Sequence, residues 1–436
     1  MTENSRKTRR MAGVLGARLP EIGLAQVADS RSPQGIRWPK LQPLLVAPLV
    51  AMAAGLKSFA DTEKLTEEMS PAMRRKLRIP RRIPDTTMRN TVVKLSPEEF
   101  RKALRRQTKA AHKRKALMPD GFPFGVVALD GKYTAIDAWD DDYSQRQSGT
   151  EDRDTYGLVR TFNCSLVSSR AKVCIDASPI PSHTNEMGYF PKVVDALVDE
   201  YKRTRLFAML SADAGSCSEE NGRYVISHGL HYIFGLKGSQ PTLQTEARAL
   251  LARRTPDECD AETVDIRGRY EVTRRLYMTT EMAGFLDWTH LQTTLRVESE
   301  MVDIDTGEVV EQNEDDVNRY FISSLEGDEL SPSQWLKLVR MHWGVENNCH
   351  NTWDTAFEED DRRWITADPK GAMNVMLLRR LAYNMLALFR SVTQRSEENR
   401  MTPWKDILRW VYNTLIAAQE TELAGLRGRT AVITEI

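Results

Sequence analysis

Three acidic residues are placed where carboxylates could hold a metal ion. Asp130 follows the apolar run VVAL at 126–129 and precedes a glycine, and Asp213 closes the run LFAMLSAD at 206–213 before Ala214. Carboxylates at strand ends of an α/β sheet project into the crevice where ligands collect, and two of them can bind a hard divalent cation such as Mg²⁺ through oxygen. Either residue alone is equally a turn initiator. Asp176, in VCIDAS, has the same local setting and competes with Asp130 for the role. The third acid is Glu346, in a stripe formed with His342, His350 and Asp354 at intervals of four residues, which places all four on one face of a helix.

Three chemistries compete for that stripe. A two-histidine zinc site needs histidines four apart with a glutamate beside the first, whereas here they stand eight apart with Glu346 midway. A hydrogen-bonded polar face is the plain alternative. The third is Glu346 as a metal ligand, with His342 and His350 orienting it or reaching phosphate oxygens. Lys237, in GLKGSQ at 235–240, ends a strand between two glycines and could meet a phosphate, although the Walker spacing is absent. No Rossmann fingerprint, GxSxG elbow or CxxC pair occurs, which argues against a nucleotide cofactor.

The elements that must position these residues can be read from periodicity. VVALDG at 126–131 and YTAIDAW at 133–139 read as two neighbouring strands, followed by strands at 157–169 and 171–180. A helix from Met187, a strand at 206–215, a helix near 217–228 and a strand at 231–240 complete a mixed α/β order. Residues 241–330 alternate like strands and predict a β-rich insertion. Segment 331–357 predicts a helix carrying the Glu346 stripe, 371–392 a helix apolar nearly all round and therefore buried, and 403–420 a last helix. Before the strands, 44–60 and the stretches near 85–95 and 95–117 predict helices. Ser96 serves as N-cap of the last, with Pro97 in its first turn, and residues 1–28 predict a loosely ordered tail.

The chain has 436 residues, 61 Lys+Arg, 61 Asp+Glu and an apolar share of 41%, the composition of a globular protein of more than one domain. The zero balance conceals a split. Residues 1–118 hold 26 basic and 10 acidic side chains, or +16, which leaves −16 for the rest. On the helix at 95–117, Arg101, Lys102, Arg105, Arg106, Lys109, Lys113 and Arg114 fall within 15 residues free of acids, a face that could lie along phosphates. The longest apolar run, 13 residues at 44–56, is shorter than the ~20 that span a bilayer. Five cysteines without paired spacing favour a reducing cytoplasm.

ALDGK (128–132), LSADA (210–214), YIFGLKGSQ (232–240) and VRMHWGVENNCHNTWDTAFEEDDRR (339–363), in that order, resemble the successive blocks of DDE transposases from bacterial insertion sequences, specifically the ISAs-type, H-repeat-associated family. IPRRIPDTTMRNTV, GRYEVTRR, YFISSL and NVMLLRRLAYNMLAL extend the likeness over residues 29–395. The resemblance implies a ribonuclease-H-like mixed sheet with flanking helices, interrupted by the insertion between the second Asp and the Glu. It implies Asp130, Asp213 and Glu346 as a catalytic, metal-binding triad for two Mg²⁺ ions, with Mn²⁺ as a substitute. The family helix reads Arg-x-His-Trp-x-x-Glu-Asn, matched by Arg340, His342, Trp343, Glu346 and Asn347, so Arg340 joins Lys237, His342 and His350 as phosphate contacts. Ser239 stands where the family carries Asn.

The expected organisation is a tail at 1–28, a basic helical DNA-binding region at 29–118, a first core part at 119–240, the insertion at 241–330, a second core part with the Glu helix at 331–395, and a terminal helix and tail at 396–436. The implied partners are double-stranded DNA, as element terminal inverted repeats and target, and a second copy of the chain on DNA. A cytoplasmic, nucleoid-associated protein with no membrane partner is expected.

Overall fold

The computed structural model describes residues 2–32, 38–139, 142–149 and 154–426; the last ten residues of the expected C-terminal tail lie outside that range. The strands are β1 (Val126–Ile136), β2 (Ser144–Gln147), β3 (Tyr156–Leu166), β4 (Cys174–Pro179), β5 (Met209–Ala212), β6 (His231–Leu236), β7 (Ala261–Arg267), β8 (Tyr270–Thr279), β9 (Thr293–Asp303) and β10 (Asn318–Ser323). They join in one sheet of order β2-β3-β1-β5-β6-β10-β9-β8-β7, with β4 also on β3. β1 runs antiparallel to β3 and parallel to β5, and β5 runs parallel to β6. That central arrangement is ribonuclease-H-like, as the resemblance implies. The segments at 126–131 and 133–139, expected as two strands, are one continuous β1. Gly131 stays in extended pairing, opposite Phe162, instead of turning.

Helices come before, between and after the strands: α1 (Glu3–Ile22), α2 (Leu41–Ala53), α3 (Phe59–Glu68), α4 (Pro71–Leu77), α5 (Asp85–Lys94), α6 (Pro97–Lys113), α7 (Glu186–Tyr201), α8 (Glu219–Ser227), α9 (Pro241–Leu251), α10 (Glu314–Val317), α11 (Pro332–His342), α12 (Asn351–Thr355), α13 (Pro369–Leu388), α14 (Glu397–Arg400) and α15 (Trp404–Ala417). The alternation of β1 divides two cores. Val126 and Ala128 join the cluster built with α2, α5, α6 and α13, while Val127 and Leu129 join the cluster built with α7, α8 and α9. Period-two geometry then directs Asp130 to the α13 side.

The expected tail at 1–28 is largely helix α1. Thr2 caps it, and Met11, Leu15, Leu19 and Ile22 are buried at the spacing of one helical face. The insertion is not a separate body, because β10 pairs with the free edge of β6 and extends the core sheet. α13 is buried around its whole circumference, as its apolar pattern predicts. Its polar side chains complete other elements: Asn384 exchanges hydrogen bonds with the backbone of Cys174 in β4, and Asn374 donates to Val92 and Leu95 carbonyls at the end of α5.

Three charges lie within this core. Glu359, fully buried, accepts from Arg380 (Nη2–Oε1 2.7 Å) and Arg379 (Nη1–Oε2 3.1 Å). Burial alone would push the Glu359 carboxyl up, but Arg380 and Arg379 hold it down to about 2. Removing one partner of a buried pair costs about 3–5 kcal/mol, because the other charge is left uncompensated. Glu359→Gln is therefore expected to lower unfolding free energy by about that amount in urea titrations at pH 7; a loss below ~1 kcal/mol would refute the dependence. Since the folded value lies below the ~4.3 of an unfolded Glu, this contribution is complete above that pH and is lost as pH falls toward 2. The variant should lack that segment of acid sensitivity.

Candidate functional site

Asp130 and Asp213 are brought together by strand register. β1 and β5 pair in parallel from Val126 with Met209 to Leu129 with Ala212, so the residue that follows the paired run is one of the two aspartates on each side. On the other side of β1, Asp130 faces Asn163 of β3. Asp213 lies just beyond β5, where its Oδ1 accepts from the backbone N–H of Gly215 (3.1 Å) and Ser216 (3.3 Å), fixing the turn.

Glu346 comes from the segment that crosses above these strands. The expected single helix is broken: α11 ends at His342, Val345–His350 forms wider π-type turns, and α12 follows. Such π-turns are common at functional sites. The stripe nevertheless keeps to one side, facing successive residues of β5 and β1. His342 Nδ1 lies 2.8 Å from Ser211 Oγ, His350 Nδ1 3.3 Å from Asp130 Oδ2, and Asp354 accepts from Lys132 Nζ at 2.8 Å. Glu346 and Asp213 are exposed, whereas Asp130 is recessed.

Neighbouring acids act on Asp130. Burial raises the Asp130 carboxyl, and Glu346, Asp213 and Glu186 raise it further, to about 8. Glu186 is a fourth carboxylate. It stands in the first turn of α7, accepts from the Tyr133 hydroxyl, and is itself raised by burial. A Cβ on Gly131 would fall 1.8 Å from Glu186 Oε1, so only glycine lets this carboxylate lie against β1. Nothing in the local sequence singles out Glu186, since its approach depends on how α7 packs. Lys132, whose Nζ also reaches Asp360 at 3.1 Å, was within reach of sequence reasoning: it is two residues past Asp130 on the same strand face.

Oxygen donors crowded until one resists ionisation suit a hard divalent cation, which would relieve their repulsion. Among the described residues, however, no three His, Cys, Asp or Glu side chains are gathered closely enough to hold an ion.

Several of the expected phosphate contacts are buried or engaged by other side chains. His342 and His350 are pushed down to about 4 and about 3, chiefly by burial. Both rings are neutral near pH 7 and packed against Ser211 and Asp130, so they can orient the site but bring no charge to a phosphate. Asp176 is not a rival to Asp130: it is fully buried on β4, where Arg101 (Nη2–Oδ2 2.8 Å) and Arg105 (2.7 Å) clamp it. Those arginines are consequently withdrawn from the expected basic face.

The rest of that face is largely engaged as well, because α6 packs among acidic neighbours. Lys102 pairs with Glu99, Lys109 with Glu200 and Arg114 with Glu21, while Arg106 donates to the Ile22 and Gly23 carbonyls at the end of α1. Lys113 and Lys237 are exposed and make no ion pair among the described residues. Arg340 binds Asp265 of the insertion.

The raised Asp130 value carries a consequence for stability. The folded protein holds a proton there between ~3.9, the unfolded value, and about 8, so without metal stability should fall as pH rises across that window. Asp130→Asn should flatten the decline and melt above wild type at pH 9 in EDTA. An unchanged difference in Tm between pH 5 and pH 9 would contradict the crowding.

With this geometry in view, the chain can be compared with known proteins. A family described as "Transposase DDE domain" matches residues 155–385, more than half the chain; that span includes Asp213 and Glu346, and Asp130 lies ahead of it. The protein YbfL and the "H repeat-associated putative transposase YhhI", both of Escherichia coli strain K12, are each 23% identical over 329 residues, covering 74% of this chain and 79% of the relative. A solved structure of piggyBac transposase, in its synaptic complex with hairpin DNA, overlays with a TM-score of 0.44 at 11% identity, over 98% of this chain and 80% of that one; that likeness is too loose to carry an argument. On the family match, this chain belongs to the transposases with a DDE domain.

Proposed function

We propose that the protein binds the terminal inverted repeats of an insertion sequence and cuts and joins DNA strands at Asp130, Asp213 and Glu346. The observation that carries the reading is the parallel β1–β5 register that brings Asp130 and Asp213 side by side, with burial and then neighbouring acids raising the Asp130 carboxyl, in a chain that belongs to a DDE family. Two Mg²⁺ ions bound by these carboxylates would activate the attacking oxygen and stabilise the leaving one; Mn²⁺ would substitute. In cleavage, a water oxygen forms a bond to phosphorus as the bond to the 3′ oxygen breaks, leaving a 3′-hydroxyl. In joining, that hydroxyl attacks a target phosphodiester and displaces the target's own 3′ oxygen.

This chain's residues prepare the site. Asp130 is held by neutral His350 on one side and by the β1–β3 register on the other. Asp213 is fixed by its turn hydrogen bonds, and Lys132 anchors Asp354 beneath the Glu346 segment. His342, bonded to Ser211, ties the end of α11 to β5. Two element ends must be brought together for transposition, so we further propose that a dimer forms on DNA.

Removing one carboxylate forfeits several kcal/mol of charge stabilisation, on the order of 10³ in rate. Asp130→Asn, Asp213→Asn and Glu346→Gln should each reduce Mg²⁺-dependent nicking of end-bearing duplex by that order, while end binding in EDTA is retained. Wild-type cleavage by any of the three would remove that residue from the site. Hydrolysis without joined products in a plasmid-target assay would make the protein a nuclease, and end binding without any metal-dependent cleavage would make it a DNA-binding derivative.

A further inference from the structure

The β-rich insertion does more than lengthen the sheet. Strands β8, β9 and β10, with α11, bound a cavity of about 1120 Å³ whose lining includes Glu346 and Asn347 on one side and Lys172, after β3, on another. The lining carries eight Lys or Arg side chains and four Asp or Glu, although residues 119–436 as a whole are acidic. Four arginines gather there: Arg267 at the end of β7, Arg274 in β8, Arg319 in β10 and Arg340 in α11.

Their counter-charge is incomplete. Asp265 serves both Arg274 (Nη1–Oδ2 2.9 Å) and Arg340. Arg319 pairs with Asp316 at 2.9 Å and lies 4.4 Å over the Trp343 ring. Arg267 is exposed, and neither it nor half-buried Lys172 makes an ion pair among the described residues. The Arg274 guanidinium is pulled down by burial and then by Arg267 and Arg340, the electrostatic mirror image of Asp130. Cations crowded in a concave space call for an anion, and guanidinium forks suit phosphate oxygens. The volume exceeds the ~300–1,000 Å³ of small-ligand pockets, which favours a polymer over a free phosphate. A physical need exists as well, because acidic carboxylates repel the phosphates they must act on unless positive charge lies close by.

We propose that this cavity is a channel for the sugar–phosphate backbone of the DNA strand whose scissile phosphate lies at the acidic site. The assignment rests on the function proposed above, and it gives the insertion a role in gripping substrate.

The test measures binding of full-length protein to end-bearing duplex in EDTA across a series of salt concentrations. Each lost phosphate contact reduces the slope of log affinity against log salt by ~0.9. The double variant Lys172→Gln/Arg267→Gln should lower the slope by ~2, and Arg319→Gln should lower it by ~1. Arg409→Gln, at an exposed position of α15 outside the cavity lining, should leave it unchanged. Wild-type slopes in both cavity variants, with circular dichroism showing an intact fold, would overturn the channel. So would loss of inorganic phosphate competition without any change in the DNA slope, which would mark a small-anion site. Because binding is read without metal, a channel that fails while Asp130→Asn still blocks cleavage leaves the proposed function standing. A slope that falls as expected in a protein that never cleaves would sink the catalytic reading alone.

Discussion

The Arg380 guanidinium is the point on which the acidic site depends. Fully buried in α13, it holds Glu359, reaches Asn163 Oδ1 of β3 at 3.4 Å, and lies 3.5 Å over the Trp353 ring. Asn163 faces Asp130 across the β1–β3 ladder. Trp353 packs against His350, centroids 5.0 Å apart, and His350 touches Asp130. One cation thus joins the buried helix, the central antiparallel pair and the segment carrying Glu346. Such a group is expensive to bury, and its return is geometric: Asp130 on β1 and the segment that carries Glu346 rest on a common support.

Around that support, charges of one sign are gathered in two places against their mutual repulsion. Asp130, whose carboxyl is raised by burial and then by Glu346, Asp213 and Glu186, is one, and the cavity lined by Arg267, Arg274, Arg319 and Arg340 is the other. Glu346 lines the cavity that holds the arginines and also acts on Asp130, so the two groups are neighbours along one segment. A phosphodiester with its divalent ions would satisfy both at once, the ions meeting the acids and the phosphates meeting the arginines. The basic N-terminal helix has a different part: Arg101 and Arg105 neutralise Asp176 and fasten α6 to the sheet.

The legible elements were those whose pattern is enforced locally. The helix over Pro97–Lys113 follows from its Ser96 cap, Pro97 and amphipathic spacing, and α13 from an apolar surface with no polar side. β5 and β6 fall within the strands expected at 206–215 and 231–240, but pairing ends sooner, at Ala212 and Leu236. The structure departs from those patterns where pairing or packing overrides local signals. Asp-Gly at 130–131 resembles a turn, yet β3 pairs through it and leaves the chain extended. α1 shows its apolar face only at wide intervals among charged residues. The helix over 331–357 breaks into π-type turns that four-residue spacing does not foresee, although its polar stripe keeps to one side because His342, His350 and Asp354 find partners on β5 or β1.

Sequence by itself determined the mixed α/β order and the family resemblance, since each resides in residue type and short-range spacing. Tertiary structure alone decided which charges are free. Arg101, Arg105 and Asp176 look as available as Arg267 when read along the chain, but register and helix packing bury the first three together and leave Arg267 exposed with no ion pair among the described residues. Glu186 joined the acids for the same reason, because α7 lays its first turn over Gly131. Availability of a charge depends on what the fold places against it, and that partner is often more than seventy residues away, as Asp176 is from Arg101.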